Sequence, residues 1–168
     1  MNSKNNDYTK YLYEAQFNND LEMVRFLLNN GADPNGKDSD GTPIIWNLQY
    51  LWDEESYAEV RYEIAKLFFE YGADPNIKDE MDAESLYDFV LFKVVEDAYS
   101  YQWEYLFAFF KLLVIYGGGG EGYPKPEFYT PVDKAKADDY NIILKQAEDG
   151  YHIEVFLVDK AGTIVAQI

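Results

Sequence analysis

The feature that most constrains the fold is a six-residue segment that occurs twice. Asn30–Asn35 reads NGADPN and Tyr71–Asn76 reads YGADPN, and their glycines are 41 residues apart. Each copy follows a segment rich in Leu, Phe and residues that favour helices. Self-similarity at a fixed spacing is typical of repeat architectures, in which each unit packs mainly against its neighbours. The sequence therefore predicts a stack of related units.

The glycine of each copy is predicted to end a helix. Before Gly72, apolar residues at positions 60, 64, 67, 68 and 71 have the spacing of one face of an amphipathic helix. Glycine adopts the left-handed conformation that often follows a helix without the steric cost of a Cβ, and Pro75 prevents the helix from resuming. The same pattern predicts a helix over Leu21–Asn30 that ends at Gly31.

Parts of this pattern occur twice more. Aligning Gly117 with Gly72, an offset of 45 residues, brings the apolar positions of the two preceding segments into register. Thr42-Pro43 and Thr130-Pro131 both fit the start of a helix, with threonine as N-cap and proline at the first helical position. The sequence thus contains four related units.

The sequence GADPN after an amphipathic helix, followed by DSDGTP before the next, resembles the ankyrin repeat, a β-turn with two antiparallel helices in about 33 residues. The resemblance implies an all-α repeat solenoid, an ankyrin-like stack of helix pairs. In the third unit, Glu84-Ser85 stands in place of Thr-Pro. The extra residues of the long units are assigned to 51–58 and 95–102. The repeats are placed at about residues 8–35, 36–76, 77–120 and 130–150.

The period changes after Gly150. Residues 151–158 and 163–168 are rich in β-branched side chains and flank Asp159–Gly162, a pattern that predicts a β-hairpin. An isolated hairpin is only marginally stable in water, so we expect it to pack on the last repeat as a C-terminal cap, in preference to offering a strand edge to a partner. The predicted organisation is repeats over residues 1–150 and a hairpin over 151–168.

Composition and charge exclude several classes of function. The 168 residues include 14 Lys and Arg, 31 Asp and Glu, one His and no Cys, for a net charge of −17. Without thiols and with one imidazole, Cys-ligated and multi-histidine metal sites cannot form. The charge repels nucleic-acid phosphates and anionic membranes. From these features we expect no cofactor, no metal, no nucleic-acid partner and no membrane partner. Because Met1–Lys10 lacks the apolar segment of a signal peptide, we expect the protein to be cytoplasmic.

Two patterns could indicate a nucleotide-binding or catalytic site, but a repeat turn and a solvated acidic surface explain them better. Gly31–Lys37 has the spacing of a phosphate-binding loop, but Asp38 replaces the required Ser or Thr, and the segment follows a helix C-terminus, where the dipole disfavours anions. Clusters of carboxylates would suit a metal-dependent or glycoside-acting enzyme, which remains the alternative function. With 31 acidic residues, chance clusters on a solvated surface are common.

The residues that point to function are aromatic and acidic. Trp and Tyr dominate interface hot spots. Trp46, Tyr50 and Trp52 fall on the first helix of the second repeat and its extension, the side that ankyrin repeats turn toward their concave face, where both a binding role and inter-repeat packing fit. Acidic turn tips would attract a basic protein. The sequence therefore predicts a non-enzymatic protein-binding module with a basic partner, and one specific form is an immunity or inhibitor protein against a toxin. The predicted partner-binding residues are Trp46, Tyr50, Trp52, Asp38, Asp40, Asp79, Glu80 and Asp82.

Overall fold

The structure is a computed structural model that describes residues 3–49, 57–79, 84–96, 103–119, 138–148, 150 and 153–167. Over these residues the chain is mostly helical, with a small antiparallel sheet at its C-terminal end. The helices are α1 (Ser3–Phe17), α2 (Leu21–Asn29), a 3₁₀ helix (Ile44–Gln49), α3 (Ala58–Glu70), α4 (Leu86–Glu96) and α5 (Trp103–Ile115). The strands are β1 (Tyr140–Gln146), β2 (Ile153–Asp159) and β3 (Ile164–Gln167).

The helix ends predicted at the repeated glycines are confirmed. Gly31 and Gly72 have φ angles of 90° and 93°, and Gly117 after α5 has 98°. The residue after each glycine donates its backbone N–H to a carbonyl in the last helical turn, over 2.8–3.0 Å. A side chain in this left-handed conformation costs roughly 1–2 kcal/mol, which explains why glycine ends all three helices.

The helices share one hydrophobic core. Within units, α1 packs against α2 and α4 packs against α5. Between successive units, α2 contacts α3, and α3 contacts α5. The side chains predicted to form the apolar face of α3 are central to this core, because Ile64, Leu67 and Phe68 are at most 3% exposed. Burying a side chain of this size stabilises the fold by about 1.5–3 kcal/mol.

The third unit is a regular helix pair, although its sequence departs most from the pattern. Ser85 replaces the predicted Thr-Pro start, and it caps α4. Its Oγ accepts the backbone N–H of Asp88 at 3.1 Å and donates to Asp88 Oδ2 at 2.6 Å. A serine cap satisfies a backbone donor that the first helical turn leaves unpaired. The predicted insertions at 51–58 and 95–102 lie largely outside the described residues.

The second unit differs from the prediction, because the described residues after Pro43 form a 3₁₀ helix and not an α-helix. Trp46 donates its backbone N–H to the Pro43 carbonyl, three residues earlier, at 2.9 Å. Short 3₁₀ segments commonly occur where a helix joins a turn. The preceding turn is closed by the Ile44 N–H, which donates to the Gly36 carbonyl at 2.9 Å.

Two asparagines connect successive units at their turns. Asn35 donates its side-chain amide to the Gly72 carbonyl at 3.1 Å, and its Oδ1 accepts the Asp74 N–H at 2.7 Å. Asn76 makes the same pair with the Gly117 carbonyl at 3.3 Å and the Gly119 N–H at 3.0 Å. The last residue of each repeated segment therefore binds the helix end of the next unit. We call each such pair of bonds an asparagine rung.

The C-terminal sheet has three strands in the order β1-β2-β3, so the prediction of a fourth helical repeat is wrong over residues 140–146. The predicted hairpin is present as β2 and β3. However, β1 also pairs with β2, from Tyr140 opposite Asp159 to Gln146 opposite Ile153. Strand β2 is buried on both faces over residues 155–158. Because its backbone N–H and C=O groups are therefore shielded from water, hydrogen bonds to β1 on one side and β3 on the other pair them. Residues 130–137 lie outside the described part of the chain.

The sheet packs against the helices. Four of its side chains, Ile142, Val155, Leu157 and Ala166, belong to the same core as the helical residues. Just before β1, Asp138 accepts hydrogen bonds from the Tyr62 hydroxyl at 3.1 Å and from Lys66 Nζ at 3.2 Å, both on α3. Burial acts to raise the pKa of Asp138, but these two bonds, together with the positive charges of Lys66 and Lys111, outweigh it and lower the pKa below the ordinary value. Asp138 therefore joins the start of the sheet to α3.

Candidate functional site

The turn between α2 and the 3₁₀ helix is organised by Asp38, one of the predicted partner-binding residues. Its Oδ1 accepts the backbone N–H of Asp40 at 2.9 Å and of Thr42 at 3.0 Å. Lys37 and Pro43 form a single antiparallel bridge across the same turn. Asp38 thus shapes the turn, and Asp40, also predicted to contact the partner, is exposed near its tip.

A groove of about 790 Å³ lies between this turn and α1. The residues from α1 are one helical turn apart in pairs, at positions 9 and 13 and at positions 10 and 14, so they share one helix face. The turn forms the opposite side of the groove. The lining residues are Thr9, Lys10, Tyr13, Glu14, Asp33, Asn35, Gly36, Lys37, Asp38 and Ser39.

Close approach of the turn to α1 depends on Gly36. A Cβ at this position would overlap the Thr9 methyl group, so a larger residue would push the two sides of the groove apart. On α1, the ring of Tyr13 stacks on Phe17 with 6.2 Å between ring centroids. The groove therefore combines a narrow base with an aromatic side chain that is held in place on its helical side.

The charges along the groove are mixed, with acidic groups in excess. Glu14, Asp33 and Asp38 carry negative charges, while Lys10 and Lys37 carry positive ones. The groove thus offers carboxylate acceptors together with ammonium donors.

The structure places Trp46 in the interior. The residue is 4% exposed, its indole N–H donates to the Ile77 carbonyl at 3.2 Å, and its ring lies 5.3 Å from that of Phe89. Of the two roles considered for this tryptophan, packing between the second and third units is therefore the one that the structure shows. A side chain with so little exposed surface cannot contribute an interface hot spot without rearrangement.

The remaining predicted residues divide into two groups. Asp79 lies 41 residues after Asp38 at the corresponding turn, and it is 7% exposed, so it presents little surface to a partner. Tyr50, Trp52, Glu80 and Asp82 lie outside the described residues. Of the four predicted residues that the structure describes, Asp38 is the one that lines the groove.

Sequence reasoning missed the contribution of α1 to the groove. A signal was present, because Thr9, Lys10, Tyr13 and Glu14 form a stripe of polar and aromatic residues at helical spacing. That stripe could equally be a solvated helix face. Its proximity to the turn depends on the contact between Thr9 and Gly36, which joins residues 27 positions apart and leaves no local pattern in the sequence.

The described residues also bear on two other kinds of site. Across the described ranges, no group of three or more His, Asp or Glu side chains is arranged to hold a metal ion. Among the same residues, none of the helices has the length and apolar character needed to span a bilayer.

Comparison with known families identifies the unit that borders the groove. A model of the ankyrin repeat family matches residues 12–39, which comprise the end of α1, all of α2 and the turn up to Ser39. No solved structure matches the chain. The resemblance drawn from the repeated GADPN segments is thus supported at the first of those segments. Ankyrin repeats are generally protein–protein interaction modules.

Proposed function

We propose that this chain is a non-enzymatic protein-binding module of the ankyrin repeat type that holds a basic segment of a partner protein in the groove between α1 and the first turn. The groove itself carries the proposal. Eight of its ten lining residues lie within the matched residues 12–39, and its acidic side chains outnumber its basic ones. Tyr13 offers a partly exposed aromatic surface at the centre of its helical side.

The charge of the whole chain supports a basic partner. A net charge of −17 on 168 residues attracts positive surfaces over long distances, and such steering raises association rates by about 10- to 10³-fold at low salt. One specific form of the proposal is an immunity or inhibitor protein that covers the basic substrate channel of a toxin, for example a nuclease. An acidic protein suits this role because it replaces the phosphate charges that such a channel attracts.

The test compares two lysine substitutions on the full chain, using a partner recovered by affinity purification from the native host. Glu14→Lys reverses a charge inside the groove, whereas Glu22→Lys makes the same change at an exposed position on α2 outside it. We expect Glu14→Lys to weaken binding about tenfold or more, and Glu22→Lys to weaken it much less. Binding of the unmodified chain should also weaken as salt rises.

Two outcomes would contradict the proposal. Equal effects of the two substitutions would show that the groove is not the binding surface. Recovery of only neutral or acidic partners, with affinities that do not depend on salt, would refute the basic partner.

A further inference from the structure

Three helix ends in this chain have nearly the same backbone. Gly31, Gly72 and Gly117 have φ angles of 90°, 93° and 98°. Each glycine donates its N–H to a carbonyl three residues earlier at 3.1 Å, and each following residue donates to one five residues earlier. Because these bonds match, the backbone around each glycine has nearly the same arrangement relative to the preceding helix in all three units. The turns that follow Gly31 and Gly72 match further, since Asp33 and Asp74 each accept the backbone N–H two residues later on Oδ1 at 2.9 Å.

At two of the three ends, this carbonyl and N–H pair binds an asparagine side chain. The Asn35 side chain bonds to the Gly72 carbonyl and the Asp74 N–H, and the Asn76 side chain bonds to the Gly117 carbonyl and the Gly119 N–H. The equivalent pair in the first unit is the Gly31 carbonyl and the Asp33 N–H. Within the part of the chain that the structure describes, no hydrogen bond reaches either atom. Both residues are exposed.

A carbonyl and an N–H at this separation suit a primary amide, and the chain uses the short amide of asparagine at both places. The side chain of asparagine has an oxygen that accepts from the N–H and an NH₂ group that donates to the carbonyl. Aspartate has no hydrogen to donate when it is ionised, and lysine has no oxygen to accept. The chain itself shows this selection twice, with donor–acceptor distances of 2.7–3.3 Å.

The Asp33 end of the open pair borders the groove, because Asp33 is one of its lining residues and Gly31 lies two residues before it. We propose that the Gly31 carbonyl and the Asp33 N–H form a recognition site for an asparagine side chain of the partner segment that occupies the groove. The partner would complete an asparagine rung that the chain forms internally at the next two units. This inference rests on the proposed function, and it adds a requirement for one residue type in the partner.

The test uses 12-residue peptides selected from a random phage-displayed library on the full chain. Peptides that fail to bind the Tyr13→Ala variant are taken as groove-dependent. We expect these peptides to be enriched in asparagine at one position, and replacing it by aspartate or alanine to weaken binding by about tenfold, the effect of losing one or two hydrogen bonds. In ¹H–¹⁵N spectra of the unmodified chain, the peptide should shift the Asp33 amide. The amides of Asp74 and Gly119, already bonded to asparagines, serve as internal references.

Each outcome decides a different point. Groove-dependent peptides that need no asparagine and leave the Asp33 amide unshifted would overturn the rung proposal and leave the groove as a binding surface. Failure to select any groove-dependent peptide would contradict the proposed function and this inference with it. If the Tyr13→Ala variant does not fold, the spectra of the unmodified chain take its place. Peptides that shift the amides of other groove residues but not that of Asp33 would overturn the rung proposal, and peptides that shift no groove amide would contradict the proposed function.

Discussion

Removing one asparagine rung should measurably destabilise the stack. Asn35→Ala deletes the bonds to the Gly72 carbonyl at 3.1 Å and to the Asp74 N–H at 2.7 Å. A neutral hydrogen bond contributes about 0.5–1.5 kcal/mol, and water can replace both bonds at this exposed turn, so we expect a loss of about 1–2 kcal/mol. For a chain of this length, the loss corresponds to a fall in Tm of roughly 2–8 °C. Urea unfolding followed by circular dichroism measures the change.

Two further variants sharpen this test. Asn35→Asp keeps an acceptor for the Asp74 N–H but cannot donate to the Gly72 carbonyl, so its stability should lie between those of the wild type and Asn35→Ala. Asn18→Ala is the matched control, because Asn18 is an exposed asparagine whose one side-chain bond is local, to the Glu14 carbonyl at 2.9 Å. Equal losses for Asn18→Ala and Asn35→Ala would refute the idea that the rung joins two units.

Three other perturbations follow from the contacts described. Gly72→Ala should cost roughly 1–2 kcal/mol in urea unfolding, because φ is 93° although a Cβ would meet no neighbour, and an unchanged stability would contradict the left-handed helix end. Trp46→Ala should destabilise by about 3–5 kcal/mol, and a stable variant would place this side chain on the surface. Asp138→Asn should destabilise by less than about 1 kcal/mol near pH 7, because the Asp138 side chain is 66% exposed. The pKa of Asp138 is lower folded than unfolded, so its contribution is present above the unfolded value and lost as pH falls through the folded one. Urea midpoints of the wild type and this variant should therefore converge in acid well below pH 3.8, and a gap that persists there would indicate another cause.

The parts of the fold that the sequence predicted are those with local causes. Gly31 and Gly72 each follow an amphipathic helix and precede Asp-Pro, and a left-handed glycine at a helix end depends only on those neighbours. The helix start at Ser85 is less apparent, since it departs from the Thr-Pro pattern of the second and fourth units. Ser85 and Asp88 nevertheless have the spacing of a helix cap, so the signal was present in the sequence.

The errors lie where distant residues decide the structure. Residues 140–146 contain the apolar run Ile142–Leu144, which fits either a short helix or a strand, and pairing with β2 makes it a strand. Trp46 could be assigned to an interface or to the core, because the same side chain suits both, and contacts with Ile77 and Phe89 place it in the core. The groove depends on the meeting of Thr9 and Gly36, which no periodicity in the sequence indicates.

The asparagine rungs also affect how the chain can associate with other molecules. They restrain neighbouring turns relative to one another, and the bonds that Asp38 accepts restrain the first turn itself. The turn side of the groove is therefore fixed when the chain folds. A partner segment would lose its own conformational freedom on binding, but the turn side of the groove would need little further ordering. Such pre-organisation favours affinity from a small contact area.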